Sequence, residues 1–428
     1  MVINHNSIHA VSNEARFASD IVRPLYNTYC FSNITGTIAK SFGINTSMKK
    51  LPNDTLPFHN KTYDKVILFF MDGFAWRFFQ QFSHLPFFEK IKQKSIISKI
   101  TSQFPSTTAA HTATIHTGME IGKHGIHEWI YYEPVFDNVI SPLFYSYAGE
   151  KDRASLLKYK HIKPEKIYPT ENFYNMLKEN GIQSHTFHFK DYATSPYSKI
   201  ALKGSKVHTF EDFRLGLEDL TQQIKNDKNL RTYYFFYHDY LDHKAHVYGP
   251  NSDEYKNAVE ETYDAMLEIF YKPISNCDNN ILFLQTADHG QIEGNKTNTI
   301  YLNIIYPELL NYVKTNKYNE KILFGGSPRD IFLYIKDEFL EKVNHELKEK
   351  LKGKADVFLT EFLIKEKFFG SGDISDVFRK RLGNLIILPH RHETVYWFEK
   401  DKFEQHNQSH HGGLSPEEME SIFIAMEM

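Results

Sequence analysis

The chain of 428 residues has little cysteine and no strong charge bias. Its two cysteines, Cys30 and Cys277, stand far apart, which argues against a disulfide framework and a cysteine metal site. Any metal ligands must then be His, Asp or Glu. Fifty basic residues against 53 acidic ones leave a formal net charge of -3, which speaks against broad electrostatic capture of nucleic acid or an anionic membrane. Phosphate recognition has to be local. No apolar stretch reaches about 18 residues, the length of a membrane-spanning helix. The opening "MVINHNSIHAVSNEARF" lacks the basic start and apolar run of an export signal. The expectation is a cytoplasmic chain by default, with a non-standard delivery route left open, no membrane span and no stable nucleic-acid partner.

Length permits one large domain or two ordinary ones, and repeats and low-complexity tracts are absent. Short β-rich apolar runs alternate with longer amphipathic segments, the pattern of βα units around a largely parallel sheet. "KVILFF" (65–70), "TYYFFY" (232–237) and "NILFLQTA" (280–287) read as buried strands, and 84–94, 171–180, 211–226 and 253–272 as helices. Residues 1–62 read as a polar entry segment with "ITGTIAKSFG" as its helical piece, and 63–428 as the main domain. Insertions are expected near 128–230 and 295–385; in the second, "SPRDIFLYIK" reads as a strand and "EFLEKVNHELKEKLKG" as an amphipathic helix closed by Gly353.

Three polar clusters follow apolar strands. "KVILFFMDG" ends in Asp72, "NILFLQTADHG" in Asp288 and His289, and "TYYFFYHDYLDHKAH" carries Asp239, Asp242, His243 and His246. Ligands of open α/β sheets bind outside the carboxyl ends of strands, so these side chains can converge on one rim. A single Asp-Gly is an ordinary turn; three clusters together point to a site. On a helix Asp242 and His246 share a face, as do Asp239 and His243, and spacing does not choose between the pairs. Asp and His suit zinc, and such a site with an open position polarises a phosphoryl oxygen or activates a nucleophile. "SHHGGLSPEEM" adds His410 and His411 before two glycines and a helix start, with Ser415 as cap and Pro416 as first helical residue.

The stretch "FPSTTAAHTATIHTG", residues 104–118, packs six hydroxyl residues and two histidines into fifteen positions. Its alanines and spacing predict a helix that begins near Ser106 to Thr108. Free N–H groups and the helix dipole at that end suit a phosphate. A hydroxyl there beside a divalent ion loses its proton more readily and can attack phosphorus; taken alone, the stretch is a capped helix.

In their order along residues 63–423, "MDGF", "FPSTTAA", "DHKAHVYGP", "ADHGQ" and "HGGLSPEEM" resemble the motifs of the alkaline phosphatase superfamily, in its type I phosphodiesterase and nucleotide pyrophosphatase branch. The resemblance implies an α/β fold, a mostly parallel sheet sandwiched between helices with a smaller cap or insertion, and makes 63–428 the catalytic domain. It assigns Thr108 as nucleophile, with Thr107 as the adjacent alternative. It implies one divalent ion on Asp72, Asp288, His289 and Thr108 and a second on Asp242, His246 and His411, with zinc as the metal. His111 stands where the family has an asparagine that stabilises a phosphate oxygen, and is either a substitute donor or simply a neighbour of the site. "KHGI" at 123–126 matches a family segment read as structural. The implied activity is hydrolysis of phosphodiester or pyrophosphate bonds in small nucleotide-type substrates through a phosphothreonine intermediate. A phosphomonoesterase, a phosphonate hydrolase and a non-catalytic phosphate sensor are the alternatives. The sulfatase motif "CxPxR" or "SxPxR" is absent. Aromatic stretches "EWIYYEP" and "PLFYSY" are a candidate stacking surface for a base, with core packing the expectation for most of these side chains.

Overall fold

The computed structural model describes residues 2–18, 20–228, 231–275, 280–294 and 296–428. Cys277 lies outside the described residues; Cys30 is a buried free thiol. The main sheet has eight strands: β1 (Val2–Ile3), β2 (Lys65–Met71), β3 (Ser95–Thr101), β4 (Gln183–Phe189), β5 (Lys206–Phe210), β6 (Thr232–His238), β7 (Ile281–Thr286) and β8 (Glu420–Glu427). Their order is β1-β3-β8-β7-β2-β6-β4-β5. All pairings are parallel except those of β8, which runs antiparallel to both neighbours, β3 and β7.

Register places the strand ends on one rim. His238 of β6 pairs with Met71 of β2, and Thr286 of β7 with Phe70. Because β8 is reversed, its first residue, Glu420, pairs with Thr101 at the end of β3. A loop that precedes β8 therefore arrives where the parallel strands finish.

The helices around this sheet include α1 (Ile34–Ser41), α2 (Trp76–Phe82), α3 (Thr108–Thr117), α4 (Phe173–Glu179), α5 (Phe213–Asn226), α6 (Tyr240–Tyr248) and α7 (Asp253–Ala265). Strand residues alternate between faces. Ile67 and Phe69 of β2 pack with α2, α5 and α7, whereas Val66, Leu68 and Phe70 pack with α1, α3 and α4. Burial on both faces explains why "VILFFM", after Lys65, is a continuous apolar run rather than an alternating one.

Residues 1–62 contribute more than an entry segment: β1 extends the sheet and α1 covers one face. The stretch 128–230 divides. Its first part forms a small three-stranded sheet (Tyr131–Glu133, Asn138–Ser141, Ser146–Tyr147), and its second supplies β4 and β5 to the main sheet. Within 295–385, Asp330–Leu333 is a strand and Leu340–Lys350 a helix, and both belong to a layer around a four-stranded antiparallel sheet. The helix expected at 84–94 is shorter, Pro86–Ile91, because the chain turns into β3 directly after it.

One buried ion pair joins that second layer to the main sheet. The Arg329 guanidinium meets the Glu418 carboxylate with two hydrogen bonds of 3.0 Å, and Glu418 also accepts from the Gly413 N–H at 3.0 Å. Both side chains are buried, so removal of one partner strands a charge. Arg329→Met is expected to cost about 3 kcal/mol of stability, measured as a lower urea midpoint; an unchanged midpoint would show that the pair does not hold the layers together.

Candidate active site and metal-ligand cluster

The rim gathers side chains from five segments. Asp72 follows β2 directly, Asp288 and His289 follow β7, and Asp242 and His246 lie in α6, just beyond β6. Thr108 opens α3 after the loop from β3, and His411 lies in the turn that leads into β8. Thr107 is the N-cap of α3, its hydroxyl accepting from the Ala110 N–H at 3.4 Å.

Close approach of these segments depends on two glycines. At Gly73 (φ 71°) a Cβ would lie 3.1 Å from the Asp242 Cβ, and at Gly412 (φ 124°) it would lie 2.6 Å from the carboxylate of Asp330. Both positions also need a left-handed backbone that other residues resist.

The Thr108 hydroxyl lies 3.4 Å from Asp72 Oδ1 and 3.2 Å from His289 Nε2. Asp72 Oδ2 accepts from the Tyr237 hydroxyl at 2.5 Å. Asp288 Oδ1 accepts from the Gly73 N–H at 3.1 Å, and its buried Oδ2 makes no hydrogen bond, with His289 Nε2 3.1 Å away. Asp242 Oδ2 is 3.3 Å from His246 Nε2, and Oδ1 is 3.9 Å from His411 Nε2. Gln291 donates to both the carboxylate and the backbone carbonyl of Asp242. Two sets of donor atoms, Asp72–Asp288–His289 and Asp242–His289–His411, each fall within 4.8 Å and could hold a metal ion. His289 reaches both sets, because its ring stacks on that of His411 at 3.6 Å.

The histidine tautomers suit metal ligation. A carbonyl only accepts, so Nδ1–H donates in each case: His246 to Ser409 at 2.8 Å, His289 to Gly290 at 3.0 Å and His411 to Ser106 at 3.0 Å. Each ring thus turns Nε2 toward the carboxylates. Charge balance points the same way. Burial, then the nearby Asp288 and Asp242, raises Asp72 well above the carboxylate range, against the hydrogen bond from Tyr237. Burial works against charge on His246 and His289, yet Asp242 and Asp288 raise them above the ordinary histidine value. Buried carboxylates in this number call for positive charge.

Of the paired alternatives, Asp242 belongs to one donor set and His246 stands beside it, Nε2 3.3 Å from Asp242 Oδ2 but outside both sets; His243 is exposed, and Asp239 lines the adjoining cavity, also outside both sets. His410 also stays outside both sets, with Nδ1 3.5 Å from Gln405. Of its two readings, donor and neighbour, the hydrogen bonds of His111 fit the neighbour. Its Nδ1 is bonded to the Thr107 carbonyl at 2.7 Å and its Nε2 accepts from the Gln103 N–H at 2.9 Å, so no N–H remains for a phosphate oxygen. Burial lowers its pKa to about 4, and the neutral ring braces the start of α3 from behind. Ser106, read from sequence as part of the helix start, instead clamps the loop: its hydroxyl donates to the Gly413 carbonyl at 2.8 Å and accepts from the Gly412 N–H at 3.1 Å. Tyr237 was hidden inside an aromatic strand; its place as the penultimate residue of β6, next to the rim, was the available signal.

Thr108 and Asp72 open on a cavity of about 410 Å³ walled by Trp129, Phe144 and Tyr192. Asp242, His246 and His411 also border a second cavity, of about 460 Å³, with Gln405 and Tyr396. Space for substituents thus exists on both sides of the cluster.

No curated protein sequence matches the chain. Among solved structures it is similar to mouse ectonucleotide pyrophosphatase/phosphodiesterase 5, including an inactive variant in complex with AMP, at 16% identity and a TM-score of 0.61, covering 85% of this chain and 88% of that one. The human counterpart gives 16% identity, a TM-score of 0.61 and coverage of 85% and 87%. These likenesses establish the fold, a mostly parallel sheet between helices as in the alkaline phosphatase superfamily. In its described residues no helix is long and apolar enough to cross a membrane. The family model described as type I phosphodiesterase / nucleotide pyrophosphatase matches residues 66–414, a span that takes in the whole rim cluster, and the chain belongs to that family of enzymes.

Proposed function

We propose that the chain hydrolyses phosphodiester or pyrophosphate bonds of nucleotide-type substrates in two steps, with Thr108 as the nucleophile. The observation that carries the reading is the Thr108 hydroxyl at the start of a buried helix, 3.4 Å from Asp72 and 3.2 Å from His289. Thr108 Oγ attacks phosphorus, the bond to the leaving oxygen breaks, and the phosphoryl group rests on threonine. The hydroxyl proton is lost on attack, and the leaving oxygen gains one from solvent. Water then cleaves the phosphothreonine and restores the hydroxyl. Free N–H groups at the start of α3 face the phosphoryl oxygens.

Asp72, Asp288, His289 and Thr108 are the proposed ligands of one divalent ion, and Asp242, His246 and His411 of a second, with zinc favoured by the nitrogen and carboxylate donors. Such ions lower the pKa of a bound hydroxyl and stabilise charge on the attacking and leaving oxygens. The orphaned Oδ2 of Asp288 and the three Nε2 atoms turned inward support this ligand set. Cavities on both sides of the cluster favour a phosphorus with two substituents over a monoester. The AMP complex of the mouse relative agrees with a nucleotide as one of them.

Thr108→Ala is expected to lower turnover of the p-nitrophenyl ester of TMP at least about 1,000-fold with an unchanged melting temperature, and Thr107→Ala to stay within about 10-fold of wild type. A fully active Thr108→Ala protein would remove the assignment. Dialysis against a chelator is expected to abolish turnover and lower the melting temperature, and zinc to restore both. Metal analysis should give two ions per chain, and one after Asp242→Ala combined with His246→Ala. Faster turnover of p-nitrophenyl phosphate than of the TMP ester would transfer the reading to a monoesterase.

A further inference from the structure

The segment after His289 and the segment before His411 meet in a two-stranded antiparallel pairing, with Ile292 opposite His410 and Glu293 opposite Ser409. This pairing closes on α6, the helix that carries Asp242 and His246. The Gln408 N–H donates to the His246 carbonyl at 2.7 Å, and the Ser409 hydroxyl to the Ala245 carbonyl at 2.7 Å. Ser409 in turn receives Nδ1–H of His246 at its own carbonyl, at 2.8 Å. Gln291 and Ser409 are fully buried, and their side chains bond each other. A carboxylate only accepts, so the Gln291 amide turns its NH2 to Asp242 and its oxygen to the Ser409 hydroxyl. The same NH2 also reaches the Asp242 carbonyl at 3.0 Å, which places both of its hydrogens on one residue.

The arrangement fixes the rotation of the Asp242 carboxylate. Its Oδ2 lies 3.3 Å from His246 Nε2 and its Oδ1 3.9 Å from His411 Nε2, so the two oxygens are divided between two rings. The amide bond to Oδ1 holds that division; without it the carboxylate can turn about its last bond, a broad torsion. Gln291 and Ser409 thus hold Asp242 and His246 by direct hydrogen bonds, and Ser409 stands two residues before His411. The side chains proposed for the first ion have separate supports: the Tyr237 hydroxyl on Asp72, the Gly73 N–H on Asp288 and the Gly290 carbonyl on His289. None of these three bonds involves Gln291 or Ser409. Partners that orient metal ligands in this way typically carry about 10- to 100-fold in metal affinity.

We infer that Gln291 and Ser409 are positioning residues for the second ion alone, holding Asp242 and His246 in the orientation that binds it. The inference rests on the ligand set proposed above. The test measures the affinity of the full chain for each zinc ion by competition with a chromogenic chelator. Wild type is expected to take up two ions. Gln291→Met, close in volume but without the amide, should weaken one of them at least about 10-fold and leave the other unchanged. Ser409→Ala, which removes one hydrogen bond, should weaken the same ion about 5-fold. The ion that keeps its affinity should match the single ion of the protein that carries both Asp242→Ala and His246→Ala. Equal weakening of both ions, as a merely structural role would give, or no weakening of either, would overturn the inference while the ligand set stands. Wild type that binds fewer than two ions would overturn the ligand set, and this inference with it. Should Gln291→Met fail to fold, Ser409→Ala decides alone.

Discussion

Three carboxylates share one buried rim, and much of the surrounding architecture answers that repulsion. Asp72 and Asp288 are almost wholly buried, and Asp242 nearly so. Like charges at such range in a low-dielectric setting are tolerable only with positive charge and directed donors close by. The chain supplies the donors in fixed places: the Tyr237 hydroxyl on Asp72, the Gly73 N–H on Asp288 and the Gln291 amide on Asp242. The proposed ions would supply the positive charge. What makes the cluster expensive to fold is therefore the same property that would make it bind metal.

The reversed last strand solves a geometric problem. Parallel strands deliver their carboxyl ends to the rim, and only a strand entering in the opposite direction can deliver the segment before it. β8 does this for His411. Arg329 and Glu418 anchor the turn from the second layer, and Ser106 bonds it from the loop before Thr108. Since the Ser106 carbonyl also receives Nδ1–H of His411, one residue sets both the approach to the proposed nucleophile and the orientation of a proposed ligand.

Much of this was legible along the chain. The β2, β6 and β7 segments announced themselves as apolar runs, and polar residues at their ends pointed to a shared rim because parallel strands finish on one side. The scarcity of cysteine narrowed the candidate ligands to His, Asp and Glu. Other features were not legible. "ESIFIAME" has the composition of any buried strand, and its reversed insertion between β3 and β7 depends on pairings distant in sequence. The 128–230 stretch, rich in Tyr and Lys, concealed β5 because a sheet edge tolerates more polar residues than the centre does, and β4, paired on both sides, because its "QSHTFHF" mixes polar residues and histidines into a buried strand. The role of His111 stayed open for a related reason: its position after the proposed nucleophile is a matter of spacing, but the direction of its ring is set by the Gln103 and Thr107 backbone packed behind the helix.

By itself the sequence determined the residue types able to do the chemistry and the strands and helices that carry them, since periodicity and composition are local properties. Spacing left the two pairs equivalent and the family resemblance pointed to Asp242 and His246, but where each side chain lies is a matter of the tertiary structure. Asp242 lies in the cluster with His246 beside it, while His243 is exposed and Asp239 lines the adjoining cavity, because α6 leaves β6 at one particular rotation. Ser106 became a clamp and His111 a brace because the turn at Gly412 packs against one and the segment that follows β3, Ser102 and Gln103, runs behind the other. Direction and contact are properties of the packed chain, and spacing alone carries neither.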